Sequence, residues 1–171
     1  MSSIGYTTDR FKNISDDMNK IVDELLKNID LLKWIVYIDD DPLLKPNVPP
    51  NKVLGRNIIL TRMNETVLKE LYIKVFITPI TGSDHRLGIL TDTVFEIAIA
   101  VPTQHSYSYA TRKHRASEIA SEIANSLDGK HIAGLGEVKV SSTFHNFKVN
   151  EKFGAMALQV STTNTKMKAE K

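Results

Sequence analysis

Five histidines, His85, His105, His114, His131 and His145, are the residues best suited to proton transfer or metal binding, and they are scattered singly. No HExxH or HxH pairing brings two of them to one face, and zinc needs three or four convergent ligands. The acid triplet Asp39-Asp40-Asp41 offers hard oxygens to a divalent cation, yet it lacks the alternating ligands, glycine and distal glutamate of a calcium loop. It reads as a solvated helix end. Glu118 and Glu122 lie four residues apart on a helix and read as solvated or paired with bases rather than as an acid–base couple. There is no GxSxG elbow, no GxxxxGK loop and no GxGxxG; Gly134-Leu135-Gly136 reads as a reversing turn. Without cysteine there is no thiol nucleophile, disulfide or thiolate metal site. These residues predict no catalytic residue, no metal and no cofactor.

One cluster points elsewhere. Arg112-Lys113-His114-Arg115 opens a helix, where positive charge opposes the macrodipole. It reads either as solvated charge or as a site for an external anion: a phosphate, or an acidic patch on another subunit. Tyr107 and Tyr109 lie just before it and could stack on bases. His85 and Arg86 sit at the polar tip GSDHRLG of a protruding segment. Candidate interface residues are therefore His85, Arg86, Tyr107, Tyr109, Arg112, Lys113 and Arg115. Charge is polarised along the chain: residues 9–41 hold nine acids and five bases, and residues 52–115 hold five acids and nine bases. An acidic part of one copy can meet a basic part of the next, and such heterologous contacts close into rings when the rotation allows.

The elements that position these residues follow from periodicity. Ile14, Met18, Ile21, Val22, Leu25, Leu26 and Ile29 recur every three or four residues, which predicts a helix capped by Thr8 or Asp9. Asn28 and Asp30 mark a break before a short second helix carrying Leu31, Leu32, Trp34, Ile35 and Val36. Four of the six prolines follow between residues 42 and 50. They predict a stiff crossing over 39–56, anchored through Leu43, Leu44 and Val48. The period then changes to two: strands are expected at 57–63, 71–78, 93–101, 137–144 and 153–162. Segments 79–92 and 102–110 are expected as loops. Ala116, Ile119, Ala120, Ile123, Ala124 and Leu127 make the narrow face of a third helix, which Gly129 ends. Residues 145–152 extend a strand or form a bulged turn.

The whole is expected to be a single α+β domain over residues 1–162. It comprises a helical part (8–38), the crossing, and a mostly antiparallel sheet of about five strands flanked by helices (57–162), with a flexible tail at 163–171. The 171 residues, 42% hydrophobic and 25% charged, suit one domain. A net charge of +2 lacks the basic excess of a typical nucleic-acid binder. No apolar run approaches the ~18 residues of a membrane span, and the polar start lacks a signal peptide's apolar segment, so a soluble chain that stays where it is made is expected.

The run Arg112-x-x-Arg115-x-x-x-Ile119-x-x-x-Ile123-x-x-x-Leu127-Asp128-Gly129, followed by Ile132-x-Gly134-x-Gly136, resembles the C-terminal half of small tailed-bacteriophage virion proteins. Together with the amphipathic first helix, the LLKWIVYIDDDPL stretch and the Pro-rich crossing, the order is similar to tail-terminator, tail-completion and neck proteins. The resemblance spans roughly residues 14–162. It implies an α+β subunit, tail-terminator-like in fold, that forms a ring, usually a hexamer, at the head–tail junction. Its implied partners are other copies of itself, the tail tube, a sheath protein, the head connector or stopper, and the DNA passing through the channel. It implies no catalytic residue, cofactor or membrane contact, and places the protein in the virion after assembly in the host cytoplasm. Two other readings stand beside it: a nucleic-acid or anion-binding module built on residues 112–115, and a small enzyme whose site converges from scattered residues.

Overall fold

The computed structural model describes residues 4–39, 41–84 and 90–165. Helix α1 (Ile4–Leu26) starts several residues before the expected Thr8 or Asp9 cap. Helix α2 (Ile29–Val36) follows at the expected break. Asn28 makes that break specific. Its side-chain oxygen accepts from the Leu31 N–H at 2.9 Å and so satisfies one of the orphan donors of α2. The break lets α2 turn Leu31, Leu32, Trp34 and Ile35 into the core.

The Pro-rich crossing holds two single-turn 3-10 helices, Pro42–Leu44 and Pro50–Lys52. Pro42 and Val48 anchor it, but Leu43 and Leu44 do not: Leu44 is 83% exposed. The tight turn that buries Pro42 rotates the two leucines outward.

The sheet has six strands in the order β1-β2-β3-β8-β7-β6, and it is mixed and larger than expected. Strand β1 shrinks from the expected 57–63 to Ile58–Ile59 and runs parallel to β2 (Lys74–Asp84). Its entry is fixed by buried Asn57, whose side-chain amide donates to the Ile73 carbonyl at 2.8 Å. The remaining pairs are antiparallel: β2 with β3 (Leu90–Pro102), β3 with β8 (Phe153–Thr165), and β8 with β7 (Gly136–Lys148), which β6 (His131–Ile132) flanks. The expected loop at 79–92 is instead mostly ladder, because pairing continues past a bulge at Pro79–Thr81 to Asp84↔Thr91. Polar Thr, Ser and Gly read as loop residues but pair well enough in an extended hairpin. Strand β8 likewise runs to Thr165, three residues into the expected tail; residues 166–171 lie outside the described residues.

Helix α3 (Arg115–Leu127) ends as expected at Gly129, whose φ of +70° suits glycine. Alternation sorts the sheet into two faces. Val75, Ile77, Phe95, Ile97, Ile99, Leu158 and Val160 point to the helices and join Ile21, Leu25, Trp34, Ile119 and Ile123 in the main core. Each such side chain, fully buried, contributes roughly 1.5–3 kcal/mol as an upper figure. On the far face Ala98, Ala100 and Ala157 leave room for Leu68 and Phe153, part of a second, smaller cluster with Phe76. The domain is α+β with helices on one face, as the sequence implies.

Candidate functional site: an aromatic and basic hairpin beside an open strand

Between β3 and α3 the expected loop at 102–110 is built, not loose. A 3-10 turn at Thr103–His105 leads into a two-stranded hairpin, β4 (Tyr107–Ser108) and β5 (Lys113–His114), with Tyr107 opposite His114 and Ser108 opposite Lys113. Ser108 is fully buried, and its hydroxyl oxygen accepts from the Thr111 hydroxyl at 2.8 Å and the Thr111 N–H at 3.3 Å. That pins the turn. Arg112 sits in the left-handed region at φ +57°, which turns the chain sharply back into β5.

The hairpin gathers an aromatic cluster on the surface. The Tyr107 ring meets Tyr109 at 5.2 Å and His114 at 5.0 Å, both edge-on. Tyr109 is 80% exposed, and Arg112, Lys113 and His114 are exposed as well. Lys113 reaches Glu118 at 2.7 Å, which leaves Arg112 as the projecting guanidinium of the tip. Exposed tyrosine and arginine are the residue types most often dominant in interfaces, because they supply large area and forked donors at low entropic cost. His114 completes the cluster although it is not among the interface residues expected from the sequence. Its opposition to Tyr107 depends on a four-residue hairpin loop that periodicity does not reveal.

Arg115 behaves differently from its neighbours and corrects the expectation that it faces a partner. It is 1% exposed. Its guanidinium donates to the carbonyls of Tyr37 (2.8 Å), Ile38 (3.2 Å), Asp39 (2.6 Å) and His105 (3.1 Å), and lies 5.3 Å from the centre of the Trp34 ring. The cation therefore sits at the C-terminal end of α2, where the macrodipole favours it. Arg115 ties the end of α2 to the start of α3 and to the turn before the hairpin. His85 and Arg86 lie outside the described residues.

Next to the hairpin lies an open groove of about 660 Å³. Its floor is Gly154 and Met156 of β8; one wall is His114, Ala116 and Ser117, the other Asn146, Phe147 and Lys148 of β7. The second wall belongs to a strand that is exposed from Ser141 to Lys148. Phe144 there is 56% exposed. Strand β6 covers only Gly136 and Glu137, so among the described residues no strand lies along the outer edge of 141–148, the edge away from β8. The sequence of 145–152 fits a strand extension or a bulged turn equally, because Asn, Lys and Glu mask the alternation; up to Lys148 it is strand.

On the helical side, Asp16 and Asp23, two turns apart on α1 with Lys20 between them, are exposed, and so is Asp30 at the start of α2. Glu24 beside them is held below the ordinary carboxylate value, chiefly by its hydrogen bond with Lys27. Burial acts in the opposite direction, while the charges of Lys27 and Lys130 assist the lowering. The Lys130 contact, at 3.6 Å, lies just past the C-terminal end of α3. The basic hairpin adjoins the other end of that helix, thirteen residues or about 20 Å away.

Among the described residues no three His, Asp or Glu side chains gather to hold a metal, and no helix is long and apolar enough to cross a membrane. A search of curated protein sequences finds no match. The sequence profile of one family, YomW, does match, over residues 28–162. That span runs from the Asn28 cap of α2 through Thr162 of β8 and takes in the hairpin, the groove and the open strand, so the chain belongs to the YomW family, a phage-related group.

Proposed function

We propose that this phage-related chain is a structural subunit of the head–tail junction, a tail terminator or neck protein that forms a homo-oligomeric ring. The ring caps the tail tube, meets a sheath protein, docks the head connector or stopper, and leaves a channel for the genome. The protein acts in the virion after assembling in the host cytoplasm. The observation that carries this reading is the presence of two surfaces near opposite ends of α3: an aromatic, Arg-tipped hairpin, and the exposed aspartates Asp16, Asp23 and Asp30 of a net-acidic helical part. Each copy thus offers one surface and accepts the other, as a head-to-tail ring requires. The phage-related family and the likeness of element order to tail-terminator and neck proteins support the same reading.

Electrostatic contact between exposed charges also predicts salt sensitivity, because screening shortens from about 10 Å at 0.1 M salt to 3 Å at 1 M. The test is assembly of the full chain with tail tubes, scored by imaging at low and high salt. Tyr109→Ala combined with Arg112→Glu is expected to leave tubes uncapped while the subunit stays folded. Unimpaired capping by that variant would overturn the proposed interface.

The rival reading, a nucleic-acid or anion-binding module, keeps the exposed Tyr109 and Arg112 on one hairpin loop as its support. It loses Arg115 to the interior and shares Lys113 with Glu118. Salt-dependent DNA affinity abolished by Arg112→Ala would favour it; no binding at low salt would remove it.

A further inference from the structure

The open edge of β7 presents a complete set of main-chain groups. Val138 donates to the Lys130 carbonyl and accepts from the Gly129 N–H, and the Val140 N–H reaches the Asp128 carboxylate. Even-numbered positions of β7 therefore turn their backbone groups away from β8. Ser141–Thr143 bulge opposite Gln159, but the register resumes even with even: Phe144↔Leu158, Asn146↔Met156, Lys148↔Gly154. The odd position Val149 donates inward to Phe153 and confirms the alternation. Phe144, Asn146 and Lys148 thus aim their N–H and C=O groups outward, on a five-residue segment free of Pro and Gly. The opposite edge of the sheet is blunted: β1 covers Val75 and Phe76, and Pro79 and a bulge interrupt β2 beyond them.

We infer that this edge pairs with the same segment of a second copy, antiparallel, about a twofold axis through Asn146. The occupant follows from self-complementarity. Centred on Asn146, every outward N–H of both segments meets a carbonyl, and all five residues are used. Phe144 then faces the partner copy's lysine at position 148 on the helix side, and His145 faces its phenylalanine at 147 on the far side. A centre at Lys148 would set like charges opposite each other. A centre at Phe144 would run the partner into the part of β7 already covered by Lys130 and β6.

The pairing also completes the groove. Lys148, Asn146 and Met156 line it, and among the described residues no large side chain fills it, while Phe144 projects from the same face of β7 about 13 Å from Lys148. In the pair each copy's Phe144 is carried beside the other's Lys148, at the mouth of the other's groove. This goes beyond the ring: ring contacts are head to tail, whereas this contact is isologous and belongs to the free chain.

The chain has no cysteine, so one introduced thiol gives a clean probe. In the pair the two residues at 146 face each other as a hydrogen-bonded pair, with Cα atoms about 5.5 Å apart, inside the range a disulfide spans. Full-length Asn146→Cys is oxidised beside Ser117→Cys, an exposed control, and read on a non-reducing gel. Wild type and Asn146→Pro are compared by sedimentation at micromolar concentration. Expected are a disulfide-linked dimer from Asn146→Cys alone, a wild-type dimer, and a monomeric Asn146→Pro that melts within a few degrees of wild type, since its lost N–H pointed outward. A monomeric wild type, or cross-linking no better than the control, would overturn the pairing. Neither result bears on capped tubes, so failure here and failure of the ring are separately visible.

Discussion

Replacing Arg115 by Met measures how far a residue from a basic cluster serves the fold. Among the described residues the guanidinium makes four hydrogen bonds to main-chain carbonyls. Bonds to a charged group contribute about 1.5–3 kcal/mol each. They do not add, because Ile38 and Asp39 are exposed enough for water to reach their carbonyls once the side chain is gone. Met also keeps some packing on Trp34, and removing the cation recovers the cost of its burial. The net loss works out at about 3 kcal/mol, a large share of a typical stability of roughly 5–15 kcal/mol. For a chain of this size that lowers Tm by about 6–12 °C, at roughly 2–4 °C per kcal/mol. Urea unfolding should show a lower midpoint with an unchanged slope. Lys113→Met, which removes one partly exposed ion pair, should cost under about 1 kcal/mol. An Arg115→Met protein within about 0.5 kcal/mol of wild type would refute the assignment of Arg115 to the junction of α2, α3 and the hairpin.

Other outcomes follow from single contacts. Asn28→Ala removes the α2 cap and the donors to Glu122 Oε2 and Ser126 Oγ, both at 2.9 Å, so it should lower stability by about 1–3 kcal/mol in urea. Glu24 is held below its ordinary pKa, so its stabilisation is present above the unfolded value and is lost as pH falls through the folded one. Glu24→Gln should therefore be less stable than wild type at pH 7, with the gap closing below about pH 4, checked by melting across pH. Tyr109→Ala with Arg112→Ala should leave Tm within a few degrees of wild type while weakening assembly, because both side chains are exposed.

The legible parts of the fold were those where burial imposes a period. The stripe from Met18 to Leu25 and the alternation of Phe95, Ile97, Ile99 and Val101 mark α1 and β3 because each side chain had to reach the same core. The break at Asn28 was legible because a weak helix former that can cap explains both an end and a start. Where pairing depends on backbone alone the signal fades: Thr81–Asp84 is strand although its polar residues look like a loop, and His145–Lys148 continues a strand where the residues suit a bulged turn equally well. Leu43 and Leu44 misled because being apolar does not specify an inward rotation in a Pro-led turn. At the candidate site Tyr107, Tyr109, Arg112 and Lys113 do share one hairpin, but composition could not separate them from Arg115. Four basic or near-basic residues in a row look alike until the chain direction decides which one enters the core.

Images of the head–tail junction in particles carrying this chain test the central claim most directly. The account predicts density for a closed ring of copies on the end of the tail tube, with the Tyr109–Arg112 tip of each copy against the Asp16–Asp23 face of the next. A junction that lacks this chain, or a single copy of it bound there without neighbours, would contradict it.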